Sequence, residues 1–107
     1  MLRSVAKQLL LGHNCGMYFV YVLKSACKSN LYVGFTENIK KRISEHNNGK
    51  VTSTKNDKPW LLIFFECYAN KNDALRRERY FKTTIGKRSL KLMLKTTLAE
   101  DSSNKTI

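Results

Sequence analysis

Two short apolar runs that carry tyrosines, Tyr18-Phe19-Val20-Tyr21-Val22-Leu23 and Leu31-Tyr32-Val33-Gly34, constrain this chain more than any other feature. Both are rich in β-branched and aromatic side chains, which fit a pleated surface. The first is apolar at odd and even positions alike, so both faces of its strand must be covered, which marks a central strand. The small or polar segment Ser25 to Asn30 returns the chain to the second run. The two therefore form an antiparallel hairpin with a loop longer than the tightest turns. Gly34 ends the second strand and leaves no side chain at a point where another group can approach closely.

Further along, Thr36 or Asn38 is suited to cap a helix that ends at Asn47-Asn48-Gly49, an amide-then-glycine stop. Lys50 to Lys58 is polar and predicts an exposed loop, closed by Pro59 before a third strand from Trp60 to Cys67. Asn70, with Asp73 three positions on, predicts the start of a second helix over about 71–83. Gly86 is expected to break it, with a third helix from about Arg88 to Leu98 and a polar, disordered tail over 99–107. The fold class is α+β: a small antiparallel three-stranded sheet flanked by helices, in the order β-β-α-β-α-α. The domain spans 17–98. Residues 1–16 form a loosely ordered N-terminal extension upstream of the strand pattern; they lack acidic residues, a composition shared with organellar presequences.

The 107 residues suffice for one compact domain. Lys and Arg outnumber Asp and Glu by 20 to 8, a formal net charge of +12, which predicts a polyanionic partner. The excess gathers between Lys71 and Lys95, where Arg76, Arg77, Arg79, Lys82, Lys87 and Arg88 are candidates for nucleic-acid contact. Charge does not distinguish DNA from RNA, nor a binder from an enzyme. Cys15, Cys27 and Cys67 are odd in number and lack CxxC spacing, so a reducing, intracellular and cytoplasmic setting is expected, with no zinc site. No apolar run approaches the ~20 residues of a membrane span, so no membrane partner is expected.

Helical geometry makes several polar residues informative. At about 100° per residue, Arg42 and His46 share the stripe of Ile39 and Ile43 that should face the sheet. A guanidinium is seldom buried there without a partner or an anionic ligand, although it can snorkel at the stripe's edge. On the second helix Glu78 sits in the apolar stripe with Ala74, Phe81 and, if the helix continues that far, Ile85. Burying a carboxylate is costly unless a cation meets it. A salt bridge to Arg42 would serve structurally, and a divalent metal would serve functionally. Arg76, Arg77 and Arg79 point away from that stripe and can track a phosphate backbone.

The motifs Phe19-Val20-Tyr21 and Tyr32-Val33-Gly34, followed by Arg42, His46 and Glu78, resemble the GIY-YIG nuclease family over roughly Met17 to Leu94. The likeness is greatest to short single-domain bacterial members, echoed in Lys24-Ser25, His46-Asn47-Asn48-Gly49 and Pro59-Trp60. It extends to the incision domain of the excision-repair nuclease C subunit and to branched-DNA endonucleases. The resemblance implies that Tyr32 activates or orients the attacking water, Arg42 holds the scissile phosphate, and Glu78 coordinates one Mg2+ or Mn2+ ion. Tyr21 and His46 would support the same catalytic site. Phe19 stands where the motif has glycine, and Phe35 where many relatives have tyrosine or lysine.

That constellation is chemically coherent. Phosphodiester hydrolysis needs an in-line water and neutralisation of charge on the phosphoryl group. One carboxylate leaves a magnesium ion most of its coordination sphere for water and phosphate, and an arginine fork matches the non-bridging oxygens. An ordinary tyrosine, with a pKa of about 10, is a poor base at neutral pH, so base and positioning roles both stay open for the Tyr32 hydroxyl. The sequence thus predicts a divalent-metal-dependent endonuclease hydrolysing DNA, in DNA repair or recombination. The rivals are a non-catalytic nucleic-acid-binding module on the same fold, or an RNA-directed nuclease.

Overall fold

The computed structural model describes residues 16–105. The extension expected over 1–16 lies outside these apart from Gly16, as does Cys15. Strands β1 (Tyr18–Ser25), β2 (Leu31–Thr36) and β3 (Trp60–Tyr68) form one antiparallel sheet in the order β2-β1-β3. Helix α1 (Ile39–Asn47) joins β2 to β3, and α2 (Lys71–Phe81), α3 (Thr84–Met93) and α4 (Lys95–Lys105) follow. The architecture is the α+β arrangement that the sequence predicts, with the two-faced apolar run at its centre.

Alternation along β1 divides the core between two layers. Val20 and Val22 point to one face, where Val33, Ala74, Phe81, Leu90 and Leu94 close over them from β2 and the C-terminal helices. Phe19, Tyr21 and Leu23 point to the other, against Ile39 of α1 and Trp60 of β3. Each large side chain removed from water in this way contributes roughly 1.5–3 kcal/mol. A register shift between Val22 and Leu23 passes over Ile63 of β3, so Ile63 and Phe64 both pack toward the C-terminal helices.

The helix starts follow side-chain capping. Asn38 accepts a hydrogen bond from the Lys41 amide at 3.1 Å, and Asn70 accepts one from the Asn72 amide at 2.8 Å. The C-terminal half departs from expectation. Helix α2 stops at Phe81 and α3 begins at Thr84, so the break falls before Gly86 and not at it. Thr83 caps α3, its hydroxyl accepting from the Gly86 amide at 3.0 Å and donating to the Tyr80 carbonyl at 2.7 Å. Gly86 is buried in the first turn, where a Cβ would run into the Tyr80 carbonyl. Its role is close helix-to-helix approach, a tertiary demand that local propensity does not reveal. The single helix expected to Leu98 is divided at Leu94, and helical backbone continues to Lys105 where a disordered tail was expected.

The loop between α1 and β3 is mostly exposed, as its polarity predicts, with one exception. Thr54 is buried, and its carbonyl accepts the Trp60 indole N–H at 2.8 Å. Asn47 bonds both backbone groups of Trp60: its Oδ1 accepts from the amide at 2.6 Å and its Nδ2 donates to the carbonyl at 3.1 Å. The side chain extends the sheet's bonding by one partner and ties the end of α1 to the start of β3.

Candidate active site

Sheet register sets Tyr21 of β1 opposite Gly34 of β2. The Tyr21 ring and hydroxyl occupy the space that a Cβ on Gly34 would need. Because β2 is an edge strand, the missing side chain lets a hydroxyl rooted in the central strand reach the sheet's margin. The expected close approach at Gly34 is thus made by this tyrosine.

Groups from both layers gather around that hydroxyl. Helix α1 presents the His46 ring, whose Nε2 lies 2.8 Å from Tyr21 Oη, and the Arg42 guanidinium, which favours the ionised form of the same phenol. Helix α2, from the opposite layer, brings the Glu78 carboxylate within electrostatic reach. Tyr32 lies beside them, its ring centroid 4.8 Å from that of His46 and 6.2 Å from that of Tyr21. Tyr21, Tyr32 and His46 are thus in mutual contact, with Arg42 acting on the Tyr21 hydroxyl and the charge of Glu78 felt there.

Burial pushes the Tyr21 phenol up to about 12 against the opposing pull of Arg42, with Tyr32 and Glu78 adding to the rise. Tyr21 is accordingly a neutral hydroxyl throughout the physiological range. Burial likewise, with the positive charge of Arg42, brings the His46 imidazole down to about 4, Glu45 opposing. His46 is fully enclosed and neutral, its second nitrogen Nδ1 lying 2.8 Å from the Thr54 hydroxyl. Thr54 is a member of this site that sequence reasoning missed, since a lone threonine in a polar loop carries no periodicity or spacing signal.

Arg42 and Glu78 do not pair with each other. Arg42 donates to Glu45 one turn along α1 at 3.0 Å, with its side chain 35% exposed. Glu78 accepts from Lys82 one turn along α2 at 3.1 Å, its own side chain 18% exposed and that of Lys82 51%. Only Oε2 of Glu78 is engaged among the described residues. The carboxylate thus lies on the apolar side of α2, whose buried residues are Ala74 and Phe81.

A cleft of about 410 Å³ opens beside Tyr32, between the start of β2 and the C-terminal helices; Lys82, Lys87 and Lys91 line it, with Leu31, Val33 and Leu90 forming its apolar wall. Lys91 is a further cation that its sequence position did not single out. Arg76 is exposed and pairs with Asp73 at 3.0 Å, while Arg79 and Arg88 are exposed. Arg77 differs from its neighbours: it grips Glu66 of β3 through two bonds of 2.9 and 3.2 Å, and its guanidinium lies 4.2 Å from the Phe81 ring centroid. Glu66 also accepts from the Tyr68 hydroxyl at 2.6 Å. That cation ties α2 to the sheet. Its partner, a carboxylate in the middle of an apolar strand, comes from a distant part of the chain.

A tyrosine drawn across a glycine on the edge strand, an arginine on the first helix and a glutamate on the second describe a recognisable nuclease-type domain. The chain matches the GIY-YIG catalytic domain over residues 17–91 and belongs to that family, for which nucleic acid is the substrate class. Its relatives include a UPF0213 protein of Clostridium perfringens, 39% identical over 93 residues that make up 85% of this chain and 98% of that protein. A UPF0213 protein of Staphylococcus haemolyticus is 40% identical over 78 residues, 71% of this chain and 93% of its own length. UPF0213 protein YazA of Bacillus subtilis is 41% identical over 73 residues, 66% of this chain and 72% of its own length. Among the described residues no helix is long and apolar enough to cross a membrane.

Proposed function

We propose that this chain is a divalent-metal-dependent endonuclease that hydrolyses DNA phosphodiester bonds, serving DNA repair or recombination in a reducing cytoplasmic compartment. The observation that carries the reading is that Tyr32, His46 and Arg42 gather at Tyr21 and that the charge of Glu78 is felt there. A module that only bound nucleic acid would have no use for a carboxylate kept on the apolar side of α2, 18% exposed.

The chemistry follows from the residues. Arg42, partly exposed at the end of the buried relay, grips the non-bridging oxygens of the scissile phosphate and offsets the charge that grows there, a contribution typically worth 10²–10³-fold. Tyr32, half-buried at the mouth of the lysine-lined cleft, orients the attacking water. Tyr21, neutral and enclosed, is no base; it holds Arg42 and His46 in mutual register.

No three His, Cys, Asp or Glu side chains cluster to cage a metal among the described residues, so a site built on Glu78 has one protein carboxylate. Such a donor set fits Mg2+ or Mn2+, which keep most of their shell as water and substrate oxygens. The ion would neutralise charge on the phosphoryl group and favour ionisation of water. Lys82 holds Glu78 by a pair one turn along the helix, with its own side chain 51% exposed, and a metal ion would compete with it for the carboxylate. Lys82, Lys87 and Lys91 offer a cationic path for the strand beyond the scissile phosphate.

The test is incubation of purified protein with single-stranded, duplex and branched DNA and with RNA, with and without Mg2+ or Mn2+. Metal-dependent cleavage of DNA that is lost in Glu78→Gln, with affinity for DNA retained, is the expected result. Glu78→Gln cutting at the wild-type rate would remove the metal assignment. Binding without cleavage of every substrate would leave the non-catalytic module, and preference for RNA the RNA-directed nuclease.

A further inference from the structure

We propose that Thr54 is a positioning residue: from the loop between α1 and β3 it holds His46 as the Nδ1-protonated tautomer, and so aligns the Tyr21 hydroxyl and the Arg42 guanidinium. The part concerning Arg42 rests on the phosphate-binding role given to it above.

Donor and acceptor capacities lead to this direction. The Thr54 hydroxyl has one proton, and the Val51 carbonyl 3.4 Å away can only accept it. Toward His46 the Thr54 oxygen therefore accepts, so the ring proton sits on Nδ1, 2.8 Å from it. A neutral imidazole protonated there has a bare Nε2, which accepts from the Tyr21 hydroxyl at 2.8 Å. The Tyr21 oxygen is left to face Arg42 as an acceptor, the one role that a guanidinium's donors can meet. Every group in the chain Val51, Thr54, His46, Tyr21, Arg42 is then satisfied in one sense.

The opposite tautomer breaks that order. With Nε2–H the Tyr21 hydroxyl would have to turn its proton away from His46 in an enclosed site, and the Thr54 hydroxyl would have to leave the Val51 carbonyl for a bare Nδ1. Thr54 is suited to fix the choice because it is itself anchored. Its amide donates to Val51 at 3.1 Å, its carbonyl holds the Trp60 indole, and its side chain is buried. The loop that polarity marks as exposed thus reaches, through two side chains, the residue that grips the phosphate.

The test is ring 15N NMR of His46 in the wild type, Thr54→Val and Thr54→Ser, alongside single-turnover kinetics on nucleic acid. The wild type is expected to show a protonated Nδ1 and a bare Nε2. Thr54→Val, which keeps the shape and loses the acceptor, should shift the ring toward the other tautomer. It should also lower kcat on the order of 10-fold or more at little change in KM, as misorientation of a catalytic group does; Thr54→Ser should restore both. A wild-type ring protonated on Nε2 would overturn the proposal without need of any variant. So would a folded Thr54→Val that keeps the wild-type tautomer and kcat. If the wild type cleaves nothing, the nuclease reading fails while the tautomer measurement still decides whether Thr54 sets the ring.

Discussion

His46 should make this fold acid-sensitive well above the pH at which most carboxylates titrate. The imidazole is enclosed and neutral, with its pKa brought down to about 4, whereas in the unfolded chain it reverts to about 6.5. The unfolded state therefore binds the extra proton first, and stability falls as pH drops below 6.5, the loss levelling off below 4. Linkage over that interval gives a loss of about 2.5 kcal/mol between pH 7.5 and pH 4.5, or roughly 10–20 °C in Tm for a domain of this size. Other groups titrate in the same range, so the comparison is a double difference. Thermal melts of wild type and His46→Gln are taken at pH 7.5 and 4.5, and the change in one is subtracted from the change in the other. The wild type should start more stable and lose about that much of its advantage. Parallel losses in the two proteins would mean that His46 is not held neutral by burial, and would undo the account of the Tyr21 relay built on it.

Three further outcomes follow from the same geometry. Gly34→Ala sets a methyl against the Tyr21 ring; it should cost about 1–3 kcal/mol by overpacking and suppress cleavage more than a surface change of equal ΔTm, as measured by melts and turnover together. Tyr32→Phe should leave the melt near wild type but lower kcat by about 10²-fold, and Arg42→Lys, keeping charge without the fork, should likewise reduce turnover more than binding. Replacing Lys82, Lys87 and Lys91 with glutamine should flatten the salt dependence of duplex DNA affinity by up to about 0.9 per lost phosphate contact, whereas Arg77→Gln should lower Tm and leave that slope unchanged, since Glu66 and Phe81 occupy its guanidinium.

Much of this architecture is legible along the chain because its causes are local. The doubly apolar run from Tyr18 to Leu23 demands cover on both faces, and β1 is the central strand. Asn38 and Asn70 cap helices because an extended residue with a short side-chain acceptor meets free amides one turn ahead. The spacing of Arg42 and His46 on one helical stripe follows from the 3.6-residue repeat alone, and it brings both to Tyr21.

The remainder depends on how the elements pack against one another. Gly86 has the chemistry of a helix breaker, yet the Tyr80 carbonyl pressed against its missing side chain makes it a packing residue within a helix. Arg77 has the same composition-level signature as Arg76 and Arg79, but only the approach of Glu66 from β3 makes it structural. Thr54 reads as one hydroxyl in a polar loop until Trp60 and His46 enclose it. Glu78 reads as a carboxylate in an apolar stripe; it pairs with Lys82 one turn along its own helix, while Arg42, on the opposite layer, pairs with Glu45. Propensity and periodicity act over a few residues, and they determined the elements here. Which side chains meet, and so which charges are free for chemistry, is set by distances between elements that only the folded chain possesses.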